Sequence, residues 1–238
     1  MEGRKKEEKL MLKNGFEMDL DEIINEICNF FNLEPNINRR SFKNTLHTDT
    51  YYDDAQKSLL KSGGSLKLRD SIDSIGRRNQ VLIMRRRTKN PKKIKLKMYW
   101  EEAGVAVRYR EDEDFTKILS ALKGCFLDFD FSQILPDKIL SCQTRRTAYR
   151  IEIEEDKSIV VLFDRLLYKS RGKEATDSLV KLRTASKVEL TPLYQHLFEK
   201  FSDKYELMEK SRYERALDKL ASAEENKDDS PGWRGLFF

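Results

Sequence analysis

Cysteine and histidine are scarce in this sequence. Its three cysteines, Cys28, Cys125 and Cys142, cannot all pair, and none lies in a CxxC. That excludes a disulfide scaffold and argues for a reducing compartment, with the cytoplasm as the expected location. Only two histidines occur, His47 and His196, so a His-rich zinc site is excluded. Any metal would have to be held by carboxylates, a donor set that favours Mg²⁺ or Mn²⁺. No apolar run approaches the roughly 20 residues of a membrane-spanning helix, and no membrane partner is expected. Met1 to Lys13 is charged throughout and lacks the apolar stretch of a signal peptide. What the chain has in quantity is charge of both signs: 46 Lys+Arg against 41 Asp+Glu in 238 residues, for a formal net charge of +5. The two signs are intermixed, and 39% hydrophobic residues suffice for a core, so a wholly disordered chain is excluded. No linker divides the sequence. One domain over residues 1–223 is expected, followed by a flexible tail at 224–238. The apolar end of that tail, Trp233 to Phe238, reads either as part of it or as a docking peptide.

Short alternating segments dominate the rest. Glu7 to Lys13 puts Glu7 and Lys9 on one face of a strand and Leu10 and Leu12 on the other. Asp19, with Glu22 three residues on, predicts a capped helix through Leu20, Ile23, Ile24, Ile27 and Phe31, ended near Pro35. Strands are predicted at 48–53, 65–69, 79–88, 93–98 and 105–110, with Ser71 to Arg78 as a loop. A helix over 115–123 should stop at Gly124. Three more strands are predicted at 145–154, 158–164 and 185–190. Thr191-Pro192 starts a helix carrying Leu193, Leu197, Phe201 and Met208, and Ser211 with Glu214 caps a last one to Ala223.

The polar faces of these strands are charged one after another. Lys67 and Arg69 share a face, as do Lys95 and Lys97, then Arg108, Arg110 and Asp112. Arg146, Arg150, Glu152 and Glu154 follow, then Asp164, then Lys187 and Glu189. The opposite faces are Leu, Ile and Val, which helices would cover. In an antiparallel sheet curled into a barrel, the charged faces would line the inside. Such a lining is costly unless a counter-charge is supplied, and a phosphate chain with a divalent cation would supply it. The other arrangement with the same pattern is an open sheet with one solvated charged face.

The order of these segments resembles that of the CYTH domains, the triphosphate tunnel metalloenzymes. Thr48-Asp49-Thr50-Tyr51-Tyr52-Asp53 is similar to the family's Tyr-Tyr/Phe-Asp strand, and Leu66-Lys67-Leu68-Arg69 to its Leu-Arg-x-Arg strand. Lys95-Leu96-Lys97, Arg108 to Glu113, Arg145 to Tyr149, Val161 to Arg165, Val188-Glu189-Leu190 and Ser211-Arg212-Tyr213 follow in the family's order, over residues 5 to 221. At two places the sequence departs from the pattern. The first strand offers Lys5, Glu7 and Lys9 where the family has Glu-x-Glu-x-Lys, and Lys187 stands where a closing Glu is usual.

The resemblance implies an α+β fold: an antiparallel, eight-stranded, closed β-tunnel with helices packed around the outside. It implies Lys9, Arg69 and Arg146 as catalytic cations, and Lys67, Lys95, Lys97, Arg108 and Arg110 as substrate-binding cations. Glu7, Glu152, Glu154, Asp164 and Glu189 would be ligands for Mg²⁺ or Mn²⁺. The implied activity is a metal-dependent phosphohydrolase acting on inorganic triphosphate or a triphosphate ester. Tripolyphosphate, a nucleotide, thiamine triphosphate or an RNA 5′-triphosphate would be the partner. The alternatives are a non-catalytic polyphosphate- or nucleotide-binding protein with a degraded metal site, and a class IV-type adenylyl cyclase.

Overall fold

The computed structural model describes residues 6–13, 16–17, 19–41, 44–73, 75–88, 99–107, 115–123, 125–126, 129–135, 137–184, 188–207 and 210–223. Among them, ten strands form an antiparallel-paired sheet accompanied by helices. The chain divides into two compact units: residues 1–45, 144–166 and 176–209, and residues 46–143, 167–175 and 210–238. Three long strands, β7 (Leu140–Glu154), β8 (Lys157–Ser170) and β9 (Lys173–Thr184), contribute residues to both. None of the described helices is long and apolar enough to cross a membrane.

The first unit contains β1 (Lys6–Leu12), α1 (Leu20–Phe30), the short α2 (Pro35–Asn38), β2 (Arg39–Ser41), α5 (Leu190–Lys200) and β10 (Tyr205–Leu207). Its strand order is β10-β1-β9-β8-β7, with β2 paired to β7. Leu10 and Leu12 of β1 join Ile159, Val161 and Phe163 of β8 and Val180 and Leu182 of β9 in one apolar cluster. Ile23, Ile24 and Ile27 of α1 and Leu193 and Leu197 of α5 close over it. Asp19 caps α1 as expected, accepting from the amides of Asp21 and Glu22, but Glu22 turns outward and pairs with Lys204 at 2.8 Å. The capping box is therefore only half formed.

The second unit contains β3 (Thr45–Tyr52), α3 (Ser58–Lys61), β4 (Ser65–Asp73), β5 (Arg78–Thr88), β6 (Tyr99–Val107), α4 (Phe115–Lys123), a single 3₁₀ turn at Phe131–Gln133 and α6 (Arg212–Ser222). Leu66 and Leu68 of β4 and Leu82 and Met84 of β5 pack with Phe115, Ile118, Leu119 and Leu122 of α4. The alternation in β4 thus does what it predicts: leucines face a helix, and Lys67 and Arg69 face the other way. Asp53 fixes the entry to β4, accepting from the amides of Asp54, Leu59 and Leu60. Burial raises its carboxyl pKa against the pull of those amides.

Several expectations are corrected. The sheet has ten strands among the described residues rather than eight. Ser71 to Arg78 is mostly a β4–β5 hairpin, tightened by Gly76 at φ 78° and by Asp73 accepting from the amides of Ile75 and Arg77. Of the strand expected at 185–190, residues 185–187 lie outside the described residues and no strand occupies 188–190; Leu190 already begins α5, and the unpredicted long strand β9 ends at Thr184. The two-residue turn before β9, Arg171-Gly172, has both φ values positive, as a tight antiparallel hairpin requires. The helix predicted through Met208 ends at Lys200, and β10 follows it. Pro35 starts a short helix rather than ending the structure before it. The predicted strand at 93–98 and the tail at 224–238 lie outside the described residues.

The helices do not all pack on the outer face. In the second unit, Tyr213 of α6 stacks on Tyr51 of β3, with ring centroids 5.0 Å apart and planes at 15°. Tyr51 lies on the face opposite Tyr52, whose ring packs on Phe115 of α4. α6 therefore covers the charged face of β3, and α4 covers the apolar one. A complete capping box holds the start of α6: Ser211 accepts from the Glu214 amide, and Glu214 accepts from the Ser211 amide. Ser211→Ala should lower the unfolding free energy by about 1 kcal/mol, read from the urea midpoint.

Candidate functional site

Among the described residues, two buried aspartates, one in each unit, each hold a pair of basic side chains. In the second unit, Asp49 of β3 is fully buried. Arg69 grips it side-on: Nε donates to Oδ1 at 2.6 Å and Nη2 to Oδ2 at 2.7 Å. Lys67 Nζ donates to the same Oδ2 at 2.9 Å, and Arg212 Nη1 of α6 lies 3.8 Å from it. The sequence builds this locally. Lys67 and Arg69 are two residues apart on one strand and so emerge on one face, beside the face of β3 that carries Asp49.

Electrostatics follow from the crowding. Burial alone would raise the Asp49 pKa, but Lys67, Arg69 and Arg212 together hold its carboxyl well below the usual carboxylate range. Burial lowers the Lys67 ammonium from the ordinary lysine value, and Asp49 opposes that shift. For Arg69, burial works against the charge, yet its bonds to Asp49 outweigh burial and raise the pKa. One carboxylate among three cations leaves an excess of positive charge. Arg69 keeps 26% of its side chain exposed, and Lys67 16%.

The first unit repeats the arrangement with different strands. Asp164 of β8 is fully buried. Arg146 of β7 grips it through the same atoms: Nε to Oδ1 at 2.6 Å and Nη2 to Oδ2 at 2.7 Å. Lys181 Nζ of β9 lies 2.9 Å from Oδ2. The register pairs Lys181 directly with Lys9 of β1, which puts both lysines on one face. This face is not charged throughout. Leu162 and Leu166 share the Asp164 face of β8 by alternation, Met11 and Leu179 face each other beyond Lys9 and Lys181, and all four are buried.

Of the residues expected to line the site, Lys67 and Arg69 come together around Asp49. Arg146 sits with Asp164, and Lys9 lies beside Lys181 on the neighbouring strand. Lys95, Lys97, Arg108 and Arg110 lie outside the described residues, as does the side chain of Glu7. Of the expected metal ligands, the four with described side chains, Glu152, Glu154, Asp164 and Glu189, form no group that could hold a metal ion. Asp164 faces two cations at bonding distance and serves as their anchor. Glu154 sits at the β7–β8 turn and pairs with Lys157 at 2.7 Å. Glu152 pairs with Arg40 of β2 at 3.2 Å. Glu189 is exposed at the N-cap of α5, not on a closing strand. Among the described residues, no three of His, Cys, Asp and Glu come together in a group that could hold a metal ion. These four carboxylates by themselves do not make the donor set expected for Mg²⁺ or Mn²⁺.

Three members of the clusters escaped the sequence reading: Asp49, Arg212 and Lys181. Asp49 stands inside the quoted Thr48–Asp53 segment, on the same strand face as Tyr51. An acid amid β-formers and two residues from a buried tyrosine was the available signal. Arg212 follows Ser211, whose capping role accounts for its neighbourhood without it. Lys181 belongs to β9, which the alternation did not reveal.

No profile of a known protein family matches the chain, and no curated protein matches it. Solved structures do. The Hippeastrum protein HpAC1, a candidate adenylyl cyclase with a dominant triphosphatase activity, is 14% identical. That match covers 89% of this chain and 94% of HpAC1, with a TM-score of 0.50. A protein of Bacillus halodurans described as a candidate adenylate cyclase is 15% identical over 88% of this chain and 95% of its own, with a TM-score of 0.49. PH1819 of Pyrococcus horikoshii is 17% identical over 90% of this chain and 99% of its own, with a TM-score of 0.46. At the level of fold, the antiparallel sheet and its helices are similar to those of HpAC1, in agreement with the architecture expected from the strand motifs.

Proposed function

We propose that this protein binds a triphosphate-containing small molecule on cations that buried aspartates hold in place. The observation that carries the reading is the Asp49 cluster, where one carboxylate fixes Lys67 and Arg69 without neutralising them. A guanidinium has five N–H donors, and Asp49 takes two of those on Arg69. The others suit phosphate oxygens, which Arg meets in a planar fork and Lys as a point charge. The pre-set geometry lowers the entropy lost on binding. The Arg146–Asp164–Lys181 cluster, with Lys9 beside it, is a separate candidate of the same kind within the first unit, and Lys95, Lys97, Arg108 and Arg110 belong to the reading by their place in the motifs. Tripolyphosphate, nucleoside triphosphates, thiamine triphosphate and RNA 5′-triphosphates are the ligands to test.

Titration calorimetry with tripolyphosphate tests it. Arg69→Ala should weaken binding by about 10- to 150-fold, the worth of a charge-assisted contact of roughly 1.5–3 kcal/mol. Lys61→Ala removes an exposed cation of the same unit and should change the affinity by less than about twofold. Equal losses in the two variants would reduce the binding to diffuse surface attraction.

A second reading, phosphohydrolysis, is favoured by the fold shared with HpAC1, a protein with triphosphatase activity. It adds turnover to the same contacts: Lys67 and Arg69 would stabilise charge on the transferring phosphoryl group. Phosphate release from tripolyphosphate, measured with and without Mg²⁺ or Mn²⁺, separates an enzyme from a binding protein. Binding without release under every condition removes the second reading and leaves the first intact.

A further inference from the structure

On β4, β5 and β6, the face that carries Lys67 and Arg69 has an apolar centre bordered by cations. The register sets Val81 opposite Arg69 and Ile83 opposite Lys67, with Ala106 and Gly104 next to them on β6. Directly paired residues of an antiparallel ladder share a face. Arg85 lies on it too, placed between Ser65 and Glu102 by the same register. Lys67 and Arg69 thus flank the apolar centre along β4, and Arg85 closes one end of it on β5. Val81 and Ile83 are half-buried, and Gly104 and Ala106 are exposed. On the opposite face, Leu82, Met84, Val105 and Val107 pack in the α4 cluster.

One stretch of this chain has the complementary chemistry. Glu224, Glu225, Asp228 and Asp229 outnumber Lys227 and Arg234, and after Pro231-Gly232 come Trp233, Leu236, Phe237 and Phe238. The carboxylates suit the cationic border, and the aromatic side chains suit the apolar centre. The chain also brings this stretch within reach. α6 starts at the Asp49 cluster, where Arg212 lies 3.8 Å from the carboxylate and Tyr213 stacks on Tyr51. Its last residue, Ser222, is about 16 Å from its first. From Ser222 to Trp233 an extended chain spans up to about 35 Å, so Trp233 can return to the face that α6 leaves.

We infer that residues 224–238 dock on this face, with acids toward Lys67, Arg69 and Arg85 and aromatic side chains on Val81, Ile83, Gly104 and Ala106, and so compete with phosphate. The competition rests on the phosphate-binding reading above; the docking does not. A short tether sets an effective concentration on the order of 1 mM, so a contact of about 0.1 mM affinity is closed about ten times as often as it is open. Apparent phosphate affinity then falls by about tenfold.

Tripolyphosphate titration into the full chain and its variants measures the competition. Trp233→Ser with Phe237→Ser should bind tripolyphosphate about tenfold more tightly than the wild type. Ile83→Thr keeps a β-forming residue and should bind it about three- to tenfold more tightly. The three changes together should add nothing to the larger effect, because they break one contact. Docking is read separately. With Trp100→Phe, Trp233 is the one tryptophan left. Acrylamide should quench its fluorescence about twofold more strongly, or better, once Ile83→Thr is added. Circular dichroism checks each fold. Equal quenching with and without Ile83→Thr would overturn the docking. Wild-type tripolyphosphate affinity in the Trp233, Phe237 variant, or gains that add, would overturn the competition while leaving the phosphate site standing. No binding of tripolyphosphate by any of these chains would overturn the phosphate-binding reading, and the quenching would still decide the docking.

Discussion

Asp49→Ala is expected to lower the unfolding free energy by about 3–5 kcal/mol, because it takes from Lys67 and Arg69 the buried carboxylate they share, with Arg212 close by. The loss should show as a lower urea midpoint, and tripolyphosphate should recover part of it by standing in for the carboxylate. The pH dependence has a fixed sign. The folded Asp49 carboxyl titrates far below its unfolded value of about 3.9, so its stabilisation is complete above that pH. It declines as pH falls from there toward the folded pKa. Asp49→Asn keeps the shape but cannot titrate, so its stability should fall less steeply between about pH 4 and pH 2 than that of the wild type. Urea midpoints measured over that interval would refute the argument if Asp49→Ala matched the wild type, or if Asp49→Asn kept the full acid slope.

The sequence was most legible where one face of a strand is apolar and the other is not. β4 shows this well: Leu66 and Leu68 meet α4, and Lys67 and Arg69 meet Asp49. Helix starts were legible through side-chain chemistry, at Asp19 and at Ser211 with Glu214. β9 was illegible for a physical reason. From Asp177 to Leu182 it is buried on both faces, so polar and apolar residues do not alternate with exposure, and only the Arg171-Gly172 turn marks its start. The shift carried Glu189 off the expected closing strand and onto the start of α5.

Within the candidate site, Lys67, Arg69 and Arg146 each meet a buried aspartate, and three of the expected metal ligands, Glu152, Glu154 and Asp164, pair with basic side chains. Lys67, Arg69 and Arg146 were identified from their place on charged faces, which needs only period 2. The carboxylates were assigned by the same logic, but a carboxylate's role depends on its neighbours across the sheet, and register is not written in one strand. Asp164 and Glu154 sit ten residues apart on sequential strands, yet one is fully buried between Arg146 and Lys181 and the other lies at an exposed turn beside Lys157. The helix over the Asp49 face was also out of reach. Tyr213 and Arg212 read as ordinary neighbours of a capping box, and only the stack on Tyr51 reveals the face they cover.

The first-unit cluster separates stability from function. Arg146, Asp164 and Lys181 lie on a face shared with buried Leu162, Leu166, Met11 and Leu179, so apolar side chains of similar length would find apolar company there. Replacing a buried ion cluster by apolar residues is neutral or stabilising by about 1–4 kcal/mol, whereas removing one partner costs about 3–5 kcal/mol. The triple variant Arg146→Met, Asp164→Leu, Lys181→Met should therefore match or exceed the wild type in urea midpoint. Asp164→Leu alone should fall well below it. If Arg146 also holds phosphate, the stable triple variant should bind tripolyphosphate on the order of 10- to 100-fold more weakly. A triple variant as unstable as the single one would mean that these cations are packed too specifically to be replaced. A stable triple variant with full affinity would remove Arg146 from the binding set and leave the phosphate contacts to Lys67 and Arg69. The combination expected here, stability kept and affinity lost, would show that the cluster is maintained for the ligand and not for the fold.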